Sequence, residues 1–514
     1  KGGLVWIKGR ETGPGGGSQG TTNDIYDTVR GVSEWMTSKE TYGSLAQGSG
    51  NGITAFNSNG FTIGSGYNGS ENSNGEDTVS WTWRKQPKFF DVVAYSGTQD
   101  GDKTISHSLN TTVGMAIIKR YDTNGYDWHV YHRSTGVNKY LLLNTTNAEA
   151  SGSIVTGTSN TTITLSQSNG MNTSGASYLV YLFAHNDDDG GFGEPGDQDI
   201  IKCGTFTNSG SGIEVDLGFE PQFMMFKRTD ASGNWGVVDS MRGIPTPVTS
   251  AGDNSNQLRW NLNNAENAEY HPFPTPTGFK AVGAAGGGGG GSGTFVYMAI
   301  RRGGMQTPTV ASDVFAIDTA AGTSPSPPHF NSGFPVDFEF YRDVSSAADF
   351  YAGSRLIGTK FLRTNTNDAE QADSSLLFDY QNGFYNASYT GANIHAWMWK
   401  RARGYFDVVA YSGTGSTTTI SHNLGVAPEM MWIKKRSGSN NWKTFHSSLG
   451  ATKSMELNTN VGAETNGSAL FNSTAPTASV FTVGSAGDVN SSSHTYIAYL
   501  FATVAGVSKV GSYT

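Results

Sequence analysis

The chain has 514 residues, 68 of them glycine, and only 15% are charged, whereas aromatic residues reach 12%. This length predicts about three to five domains, and the aromatic content excludes a disordered chain. The net charge of −9 argues against nucleic-acid binding, and the single cysteine, Cys203, excludes an intrachain disulfide. Because no apolar run is long enough to span a bilayer, we expect no membrane insertion.

A duplicated unit organises the chain. The segment Trp81–Thr98 recurs at Trp397–Thr414, and the residues FDVVAYSGT are identical in both copies. In chain order, the opening strand is followed by an apolar strand that ends in Lys or Arg and then by a strand with aromatic residues. A strand closing on Asn, an Ala-Glu pair and a final strand such as TYIAYLFA complete the unit. The same order of signals occurs five times, although the third and fourth copies diverge.

The repeats divide the chain into six segments. The predicted segments are 1–86 (a unit lacking its first strand), 87–194, 195–308, 309–402 (a divergent unit), 403–504, and 505–514 (the opening strand of a further unit). The sequence opens on GLVWIKGR, which matches the second strand of the other copies, and closes on VSKVGSYT, which matches an opening strand. We therefore expect the sequence to be an excerpt of a longer chain.

Each unit has the size of a β-sandwich domain. Strands with alternating or continuous apolar residues are separated by turn signals such as Asn59-Gly60, Asn169-Gly170 and Asn382-Gly383. We predict an all-β fold, a tandem array of about five antiparallel β-sandwich units of jelly-roll or lectin-like type, with the first and last truncated and little helix. The glycine-rich runs Gly13–Gly20 and Gly286–Gly291 indicate loops, and the short bridge RKQPK predicts close packing of the first two units.

Histidines recur at matching places, His107 with His422 and His132 with His446. A zinc site would need partners, but other units lack these histidines. We favour histidines that bond backbone groups in turns over metal ligands.

Three further patterns suggest chemistry but lack parts of the required motif. Asp187-Asp188-Asp189 resembles part of a calcium loop without its closing Glu, which favours a solvated linker but leaves calcium at the 185–199 linker open. The six-glycine run lacks the Lys-Ser/Thr of a phosphate loop, and no Ser-His-Asp order or paired carboxylates can be identified. The sequence thus predicts no catalytic, cofactor-binding or metal-binding residues, and no enzyme.

A basic residue ends the second strand of every unit, and an Asn followed by Ala-Glu recurs in at least four. The basic residues are Lys8, Lys119, Lys227, Arg342 and Lys434, and the Asn residues include Asn144, Asn261 and Asn365. We interpret the basic residue as half of a cross-strand pair at a sheet edge. The Asn element is predicted to satisfy backbone groups in a tight loop.

The combination VxYSGT…xHxLGxxPxMMxIKxR…LNT…AE…YIAYLFA…GxSKVGSYT resembles a repeated domain of uncharacterised role found in virion proteins of marine bacteriophages, such as large tail-fibre or tail-associated proteins. The resemblance is best over 405–514, good over 89–184 and loose over 199–404. It implies a role in the virion but brings no catalytic residues.

We therefore expect a structural, non-enzymatic bacteriophage protein, a rod of tandem β-sandwiches in a tail fibre or another virion appendage. Its expected partners are other virion subunits in a homo-oligomer and host surface glycans, with assembly in the host cytoplasm and function in the extracellular virion. The loops Tyr67–Asn74 and Tyr380–Tyr389 are candidates for glycan contact. A secreted adhesin or carbohydrate-binding surface protein is the alternative, followed by a polysaccharide depolymerase.

Overall fold

The computed structural model describes residues 2–10, 23–64, 70–72, 77–168, 170–247, 256–269, 271–282, 291–320, 327–389, 391 and 393–513. Strands account for 44% of this part of the chain and helices for 3%, which confirms the predicted all-β tandem array. No described helix is long and apolar enough to cross a membrane. The predicted loop at 13–20, most of the one at 286–291 and much of 67–74 lie outside the described residues, as does Asn169 of the predicted Asn169-Gly170 turn.

The first unit contains β1 Gly3–Gly9, β2 Asn23–Asp27, β3 Glu34–Thr37, β4 Leu45–Ala46, β5 Ile53–Asn57, β6 Gly60–Ile63 and β7 Thr78–Arg84, with a 3-10 turn at Ser70–Asn72. Its large sheet has the order β4-β3-β2-β1-β7, and β5 and β6 form a separate hairpin. Compared with the later units, it lacks the opening strand among the described residues.

The second unit contains β8 Phe90–Ser96, β9 Lys103–Ser106, β10 Val113–Arg120, β11 His129–His132, β12 Lys139–Leu142, β13 Ala150–Ser151, β14 Val155–Thr158, β15 Thr162–Leu165 and β16 Ser177–Ala184. They form a six-stranded sheet in the order β13-β12-β11-β10-β16-β8 and a three-stranded sheet in the order β14-β15-β9.

The third unit contains β17 Ile201–Asn208, β18 Ile213–Asp216, β19 Pro221–Arg228, β20 Trp235–Asp239, β21 Asn256–Arg259, β22 Asn267–Ala268, β23 Phe273–Thr275, β24 Gly278–Ala281 and β25 Gly293–Arg301. The six-stranded order is β17-β25-β19-β20-β21-β22, and the small sheet is β18-β24-β23.

The fourth unit contains β26 Phe315–Thr319, β27 Phe330–Asn331, β28 Phe338–Asp343, β29 Tyr351–Ser354, β30 Lys360–Arg363, β31 Gln371–Ala372, β32 Leu376–Leu377, β33 Gly383–Asn386 and β34 Ile394–Trp399, with 3-10 turns at Ala311–Asp313 and Arg355–Ile357. Its sheets are β26-β34-β28-β29-β30-β31 and β27-β33-β32.

The fifth unit contains β35 Phe406–Ser412, β36 Thr418–Ser421, β37 Met430–Lys435, β38 Lys443–His446, β39 Lys453–Glu456, β40 Glu464–Thr465, β41 Val480–Val483 and β42 Thr495–Phe501, with the helix α1 Gly487–Asn490. Its sheets are β35-β42-β37-β38-β39-β40 and β36-β41. The sheets show which strands belong to each unit. The exact residues at which one unit ends and the next begins remain predictions.

Each large sheet packs one face on the small sheet of its own unit. Alternate residues of the strand that ends in the repeated basic residue supply this inner core, such as Met224 and Phe226 in the third unit and Met431 and Ile433 in the fifth. Burying this face closes a separate sandwich core in each of these units.

The second face of the large sheets is apolar too, and it packs against other units. In the first three units, Leu4, Trp6, Met115, Phe223 and Met225 belong to one continuous cluster of buried residues. Phe338 of the fourth unit and Tyr499 of the fifth share another cluster, with ring centroids 4.3 Å apart. The central strands are apolar on both faces because both faces are covered.

The first unit packs directly on the second, as the short bridge between them predicted. The Tyr181 hydroxyl of the second unit donates to the Asp27 carboxylate of the first at 2.8 Å. The first unit also packs on the third, where the Trp6 and Trp260 rings stack. Contacts among these three units are therefore not limited to consecutive ones.

Candidate functional site: contacts between units and a central cavity

Four of the five repeated basic residues are completely buried, and each ammonium donates to a main-chain carbonyl of another unit. The acceptors are Leu262 for Lys8 (2.7 Å), Thr41 for Lys119 (3.3 Å), Thr146 and Asn147 for Lys227 (3.1 and 2.7 Å), and Asn367 for Lys434 (3.2 Å). We call these four residues the clasp lysines. The segments that accept from them, residues 38–44, 143–149, 260–266 and 364–370, are the acceptor loops.

The predicted position of the basic residues at a sheet edge is wrong. Each lies on a strand inside its large sheet, between two hydrogen-bonded neighbours. Another unit covers the outer face at the four clasp lysines. A cross-strand pair does exist in the second unit, where the Lys119 ammonium lies 5.4 Å from the centroid of the Trp128 ring. The sequence does not show the order of strands in a sheet, so it could not distinguish a central strand from an edge strand here.

A tryptophan beside the clasp lysine makes a second bond to the same neighbouring unit. The indole N–H of Trp128 donates to the carbonyls of Thr37 and Glu40, both at 3.1 Å. In the third and fifth units, Trp235 donates to Leu142 at 2.9 Å and Trp442 donates to Arg363 at 2.8 Å. In the first unit, the residue facing Lys8 is Asn23, whose side-chain amide donates to the carbonyl of Trp260 at 2.6 Å.

A backbone bond runs in the opposite direction, from each acceptor loop to the residue two positions after the clasp lysine. The donor and acceptor pairs are Ser44 to Tyr121 (2.8 Å), Glu149 to Thr229 (2.9 Å), Glu266 to Arg10 (2.8 Å) and Glu370 to Arg436 (2.8 Å). Each contact between units thus combines a lysine bond, an aromatic or amide bond and a main-chain bond, all at equivalent positions.

These contacts close a cycle in the first three units. The second unit clasps the first, the third clasps the second, and the first clasps the third, through Lys119, Lys227 and Lys8 respectively. Head-to-tail contacts between like units generate a closed ring when the rotation between them closes. The first three units therefore make an internal pseudo-threefold arrangement, and the fifth unit clasps the fourth through Lys434 in the same way.

Burial makes the charged form of the clasp lysines costly. Burial lowers the pKa of Lys8 to about 7, and it lowers the pKa values of Lys119, Lys227 and Lys434 to about 8. The carbonyl oxygens offset part of this cost, because an ammonium group has three N–H donors to satisfy. In Lys227, the three acceptors are Thr146, Asn147 and Gly233, the last at 2.8 Å.

The repeated Asn satisfies a backbone group, as predicted, but that group lies in a neighbouring strand segment and not in the Asn loop itself. Its side-chain oxygen accepts a hydrogen bond from the backbone N–H of an aromatic residue. This aromatic residue lies at the start of the neighbouring strand, on the side nearer the centre of the large sheet. The pairs are Asn144 with Trp128 (3.0 Å), Asn261 with Trp235 (3.0 Å), Asn365 with Phe350 (3.1 Å) and Asn458 with Trp442 (2.9 Å). This bond fixes the end of the strand and so positions the indole that binds the neighbouring unit.

The repeated histidines bond main-chain groups. The two ring nitrogens of His422 lie 3.2 Å from the Thr477 carbonyl and 3.3 Å from the Leu424 amide. His132 links two units, because its Nε2 lies 3.1 Å from the carbonyl of Tyr297. Within the described ranges, no three His, Cys, Asp or Glu side chains are placed to hold a metal ion.

The acidic linker after the second unit is folded onto protein groups. The Asp189 carboxylate accepts from the Thr111 hydroxyl at 2.6 Å, and the Asp199 carboxylate accepts from the amides of Asp188 and Gly190, both at 3.1 Å. Calcium binding at 185–199 stays a prediction.

The loop Tyr380–Tyr389 is anchored to its own unit. The Tyr389 ring packs 4.8 Å from Tyr341 and 4.9 Å from Tyr351. Next to the loop, Asp379 forms a 2.7 Å ion pair with Arg10 of the first unit. In the described part of 67–74, the Glu71 carboxylate accepts from the Tyr26 hydroxyl at 2.6 Å.

A cavity of 420 Å³ lies where the first four units meet, with Phe89 as the contribution of the second unit. Its lining includes the rings of Trp81, Trp83 and Phe89 and the charged side chains of Glu220, Arg302 and Arg401. Its size and its combination of aromatic rings with a few charged groups are typical of a small-molecule site.

The charges at this cavity are paired across units. The guanidinium of Arg401 donates to both carboxylate oxygens of Glu220 at 2.8 and 2.7 Å and to Asp407 at 2.6 Å. Burial opposes ionisation of Asp407, but Arg401 and Arg302 outweigh it and hold the pKa of that carboxyl below its usual range. The site joins the third unit to the fourth and fifth, and sequence reasoning missed it because Glu220 lies far from Arg401 and Asp407 in the chain.

The fold and these contacts define a tandem-repeat β protein whose units are held together by repeated polar bonds. The chain belongs to the DUF7483 family, a domain of unknown function, which matches residues 1–302 and 310–514 as two repeats. The first match spans the three units of the closed cycle, and the second spans the fourth and fifth units. No curated protein and no solved structure matches the chain.

Proposed function

We propose that this chain is a structural, non-enzymatic component of a bacteriophage virion, in a tail fibre or another tail-associated appendage. One observation carries the proposal: the most regularly repeated polar residues hold one unit to another. The clasp lysines and the tryptophans beside them bind main-chain carbonyls rather than an open pocket. Repetition of this kind serves assembly, because each added unit extends the same set of contacts.

The position in a virion is supported by the sequence resemblance to repeated domains of phage appendages. The single cysteine is buried at a contact between units and burial raises its pKa, so the thiol is protected from oxidation outside the cell. Tandem units also multiply weak surface contacts, which suits an appendage that meets a host surface. A homo-oligomer with other virion subunits belongs to the same proposal.

The test is to locate the chain in its natural assembly. Antibodies raised against residues 1–514 should label the tail or fibres of purified particles from the source culture in negative-stain electron microscopy. Label confined to bacterial cell surfaces, with unlabelled particles, would contradict the virion assignment and favour a secreted adhesin.

The central cavity favours a second candidate function, binding of a host carbohydrate. Aromatic rings stack on sugar faces, and Trp83, Phe89 and Arg302 line this cavity together. A glycan array should then show binding that decreases in Phe89→Ala, a change at a half-buried ring. Equal signals for the two proteins would exclude this cavity as the site, and release of reducing sugar would instead indicate a depolymerase.

A further inference from the structure

The fourth and fifth units form two thirds of a second cycle. The Lys434 ammonium, the Trp442 indole and the Glu370 amide make the same three bonds that join the second unit to the first, at 3.2, 2.8 and 2.8 Å. The fifth unit therefore contacts the fourth in the same way as the second contacts the first. In the first three units, a third member completes this arrangement.

Among the described residues, the two ends of this pair lack the contacts that close the first cycle. In the fourth unit, Arg342 takes the clasp position, and its guanidinium donates to Asp343 at 3.2 Å and Ser346 at 3.0 Å, both in its own unit. Val344, two positions later, is 47% exposed. In the fifth unit, the segment equivalent to an acceptor loop exposes Leu457 (37%) and Val461 (49%). Donor side and acceptor side are thus both uncovered.

The outer faces of the sheets show the same difference. In the first three units, twelve equivalent outer-face residues are all buried: Leu4, Trp6, Trp81, Trp83, Met115, Ile117, Tyr181, Phe183, Phe223, Met225, Met298 and Ile300. Of the eight equivalents in the last two units, Phe338 and Tyr499 are buried, whereas Phe340, Trp397, Trp399, Met430, Trp432 and Phe501 are half-buried.

The uncovered surface is a groove of 810 Å³ between the two units. It is lined by Phe340 and Phe350 of the fourth unit and by Trp432, Leu457 and Asn458 of the fifth. An apolar groove of this kind, rimmed by polar residues, is typical of an interaction surface.

The chain leaves the fifth unit by a turn that leads toward this position. An isolated bridge, Val504 with Ser508, matches Gln86 with Phe90 and Ala402 with Phe406. The bridge between Gln86 and Phe90 lies where the second unit follows the first, and the bridge between Ala402 and Phe406 lies where the fifth unit follows the fourth. The same turn would place a following unit at the open third position of the second cycle.

We propose that the groove between the fourth and fifth units is the docking site for a further unit of this same fold, whose predicted opening strand would follow the turn that ends at Ser508. Its clasp lysine and neighbouring tryptophan would bind the segment 457–463. Its own acceptor loop would bind Arg342 and the carbonyl of Val344. The proposal does not depend on the virion assignment.

The test adds the missing unit to the full chain. Residues 1–508 are joined to a second copy of residues 407–504, so that the copied unit follows the same turn, and Leu457→Cys reports whether the groove is covered. Cys203 is completely buried and stays silent toward a thiol reagent. Labelling of Cys at 457 should be at least about tenfold slower than in the 514-residue chain with the same change, because labelling then requires local opening.

Two controls define the contact. Val29→Cys, at a residue 42% exposed on the first unit, should label at the same rate in both chains. Lys434→Ala and Trp442→Ala in the appended copy alone should restore fast labelling at 457, since they remove its two donors. A second extension, with residues 91–184 of the second unit in place of 407–504, guards against an appended copy that does not fold.

Slow labelling in either extended chain supports the proposal if alanine substitutions in the appended unit restore fast labelling. These are Lys434→Ala with Trp442→Ala in the copy of 407–504, and Lys119→Ala with Trp128→Ala in the copy of 91–184. Fast labelling in both extended chains overturns it. Labelling that slows with protein concentration in the 514-residue chain also overturns it, because the groove would then be a contact between copies of the chain.

Discussion

The indole rings of Trp6 and Trp260 stack with centroids 3.9 Å apart and planes 17° from parallel, although they belong to the first and third units. This contact closes the cycle of the first three units. Beside this stack, the Asn23 side-chain amide donates to the Trp260 carbonyl, and the Lys8 ammonium donates to the carbonyl of Leu262, two residues further on. The first and third units, far apart in the chain, are therefore joined by the same kinds of bond as consecutive units.

Two tryptophans at contacts between units should respond differently to the same change. Trp235→Phe removes the donor to the partly buried Leu142 carbonyl, so we expect a loss of about 1–3 kcal/mol in the free energy of unfolding. The indole N–H of Trp260 is buried without a hydrogen bond in the described structure, so Trp260→Phe should cost less. Urea denaturation of both variants checks this order, and an equal or reversed order would contradict it.

The clasp lysines should make stability rise with pH above neutrality. Burial lowers the pKa of Lys8 to about 7, so between that pH and the ordinary lysine value the unfolded chain binds more protons than the folded one. Each such lysine then adds up to about 1.4 kcal/mol per pH unit to the free energy of unfolding. Thermal unfolding from pH 7 to pH 9 should show the rise, with a shallower slope in Lys8→Met.

Lys453→Met is the matched control for Lys8→Met, because Lys453 is exposed on the fifth unit. Its slope should equal that of the unmodified chain. A Lys8→Met slope as steep as this control would show that Lys8 is not the titrating group.

Glu339 should destabilise the fourth unit at neutral pH. Its carboxylate is completely buried, and both oxygens lack a hydrogen bond within the described residues. The equivalent positions hold Val5, Ala116, Met224 and Met431. Glu339→Met should therefore raise the free energy of unfolding at pH 7 by about 1–3 kcal/mol.

The gain from Glu339→Met should shrink in acid. Burial raises the pKa of Glu339 well above its usual range, so the folded chain keeps a proton that the unfolded chain loses above pH 4–5, and stability falls as pH rises. Chemical denaturation at pH 4 and pH 8 measures the difference, with the exposed Glu214→Met as control. A gain that is independent of pH would contradict this account.

Arg401 should be essential where the third, fourth and fifth units meet. Arg401→Met leaves the buried Glu220 and Asp407 carboxylates without their closest partner, which should cost about 3–5 kcal/mol. Arg120→Met, at a more exposed pair with Asp122, should cost about 0–1 kcal/mol. Thermal denaturation compares the two, and equal losses would refute the role of Arg401.

The same ion pairs should weaken in acid. The pKa of Asp407 is held below its usual range, so its contribution is complete above the ordinary carboxyl value and is lost as pH falls through the lowered value. The difference between the unmodified chain and Arg401→Met should therefore shrink between pH 5 and pH 2.

The sequence by itself determined the all-β fold, the five copies and the local role of the repeated Asn. Strand periodicity and turn residues act within a few positions, and internal repetition shows which residues are equivalent. Asn144 and its equivalents could be assigned because their bond partners lie in the neighbouring strand of the same unit.

Only the tertiary structure decided which face meets which unit. Lys8 and Lys434 look like ordinary strand-end lysines, yet their acceptors, Leu262 and Asn367, lie in other units. A buried central strand is apolar on both faces whether its own small sheet or another unit covers it, so its sequence does not identify the neighbour. The closed cycle, the open groove and the Arg401 network depend on the rotation between units, which no local pattern encodes.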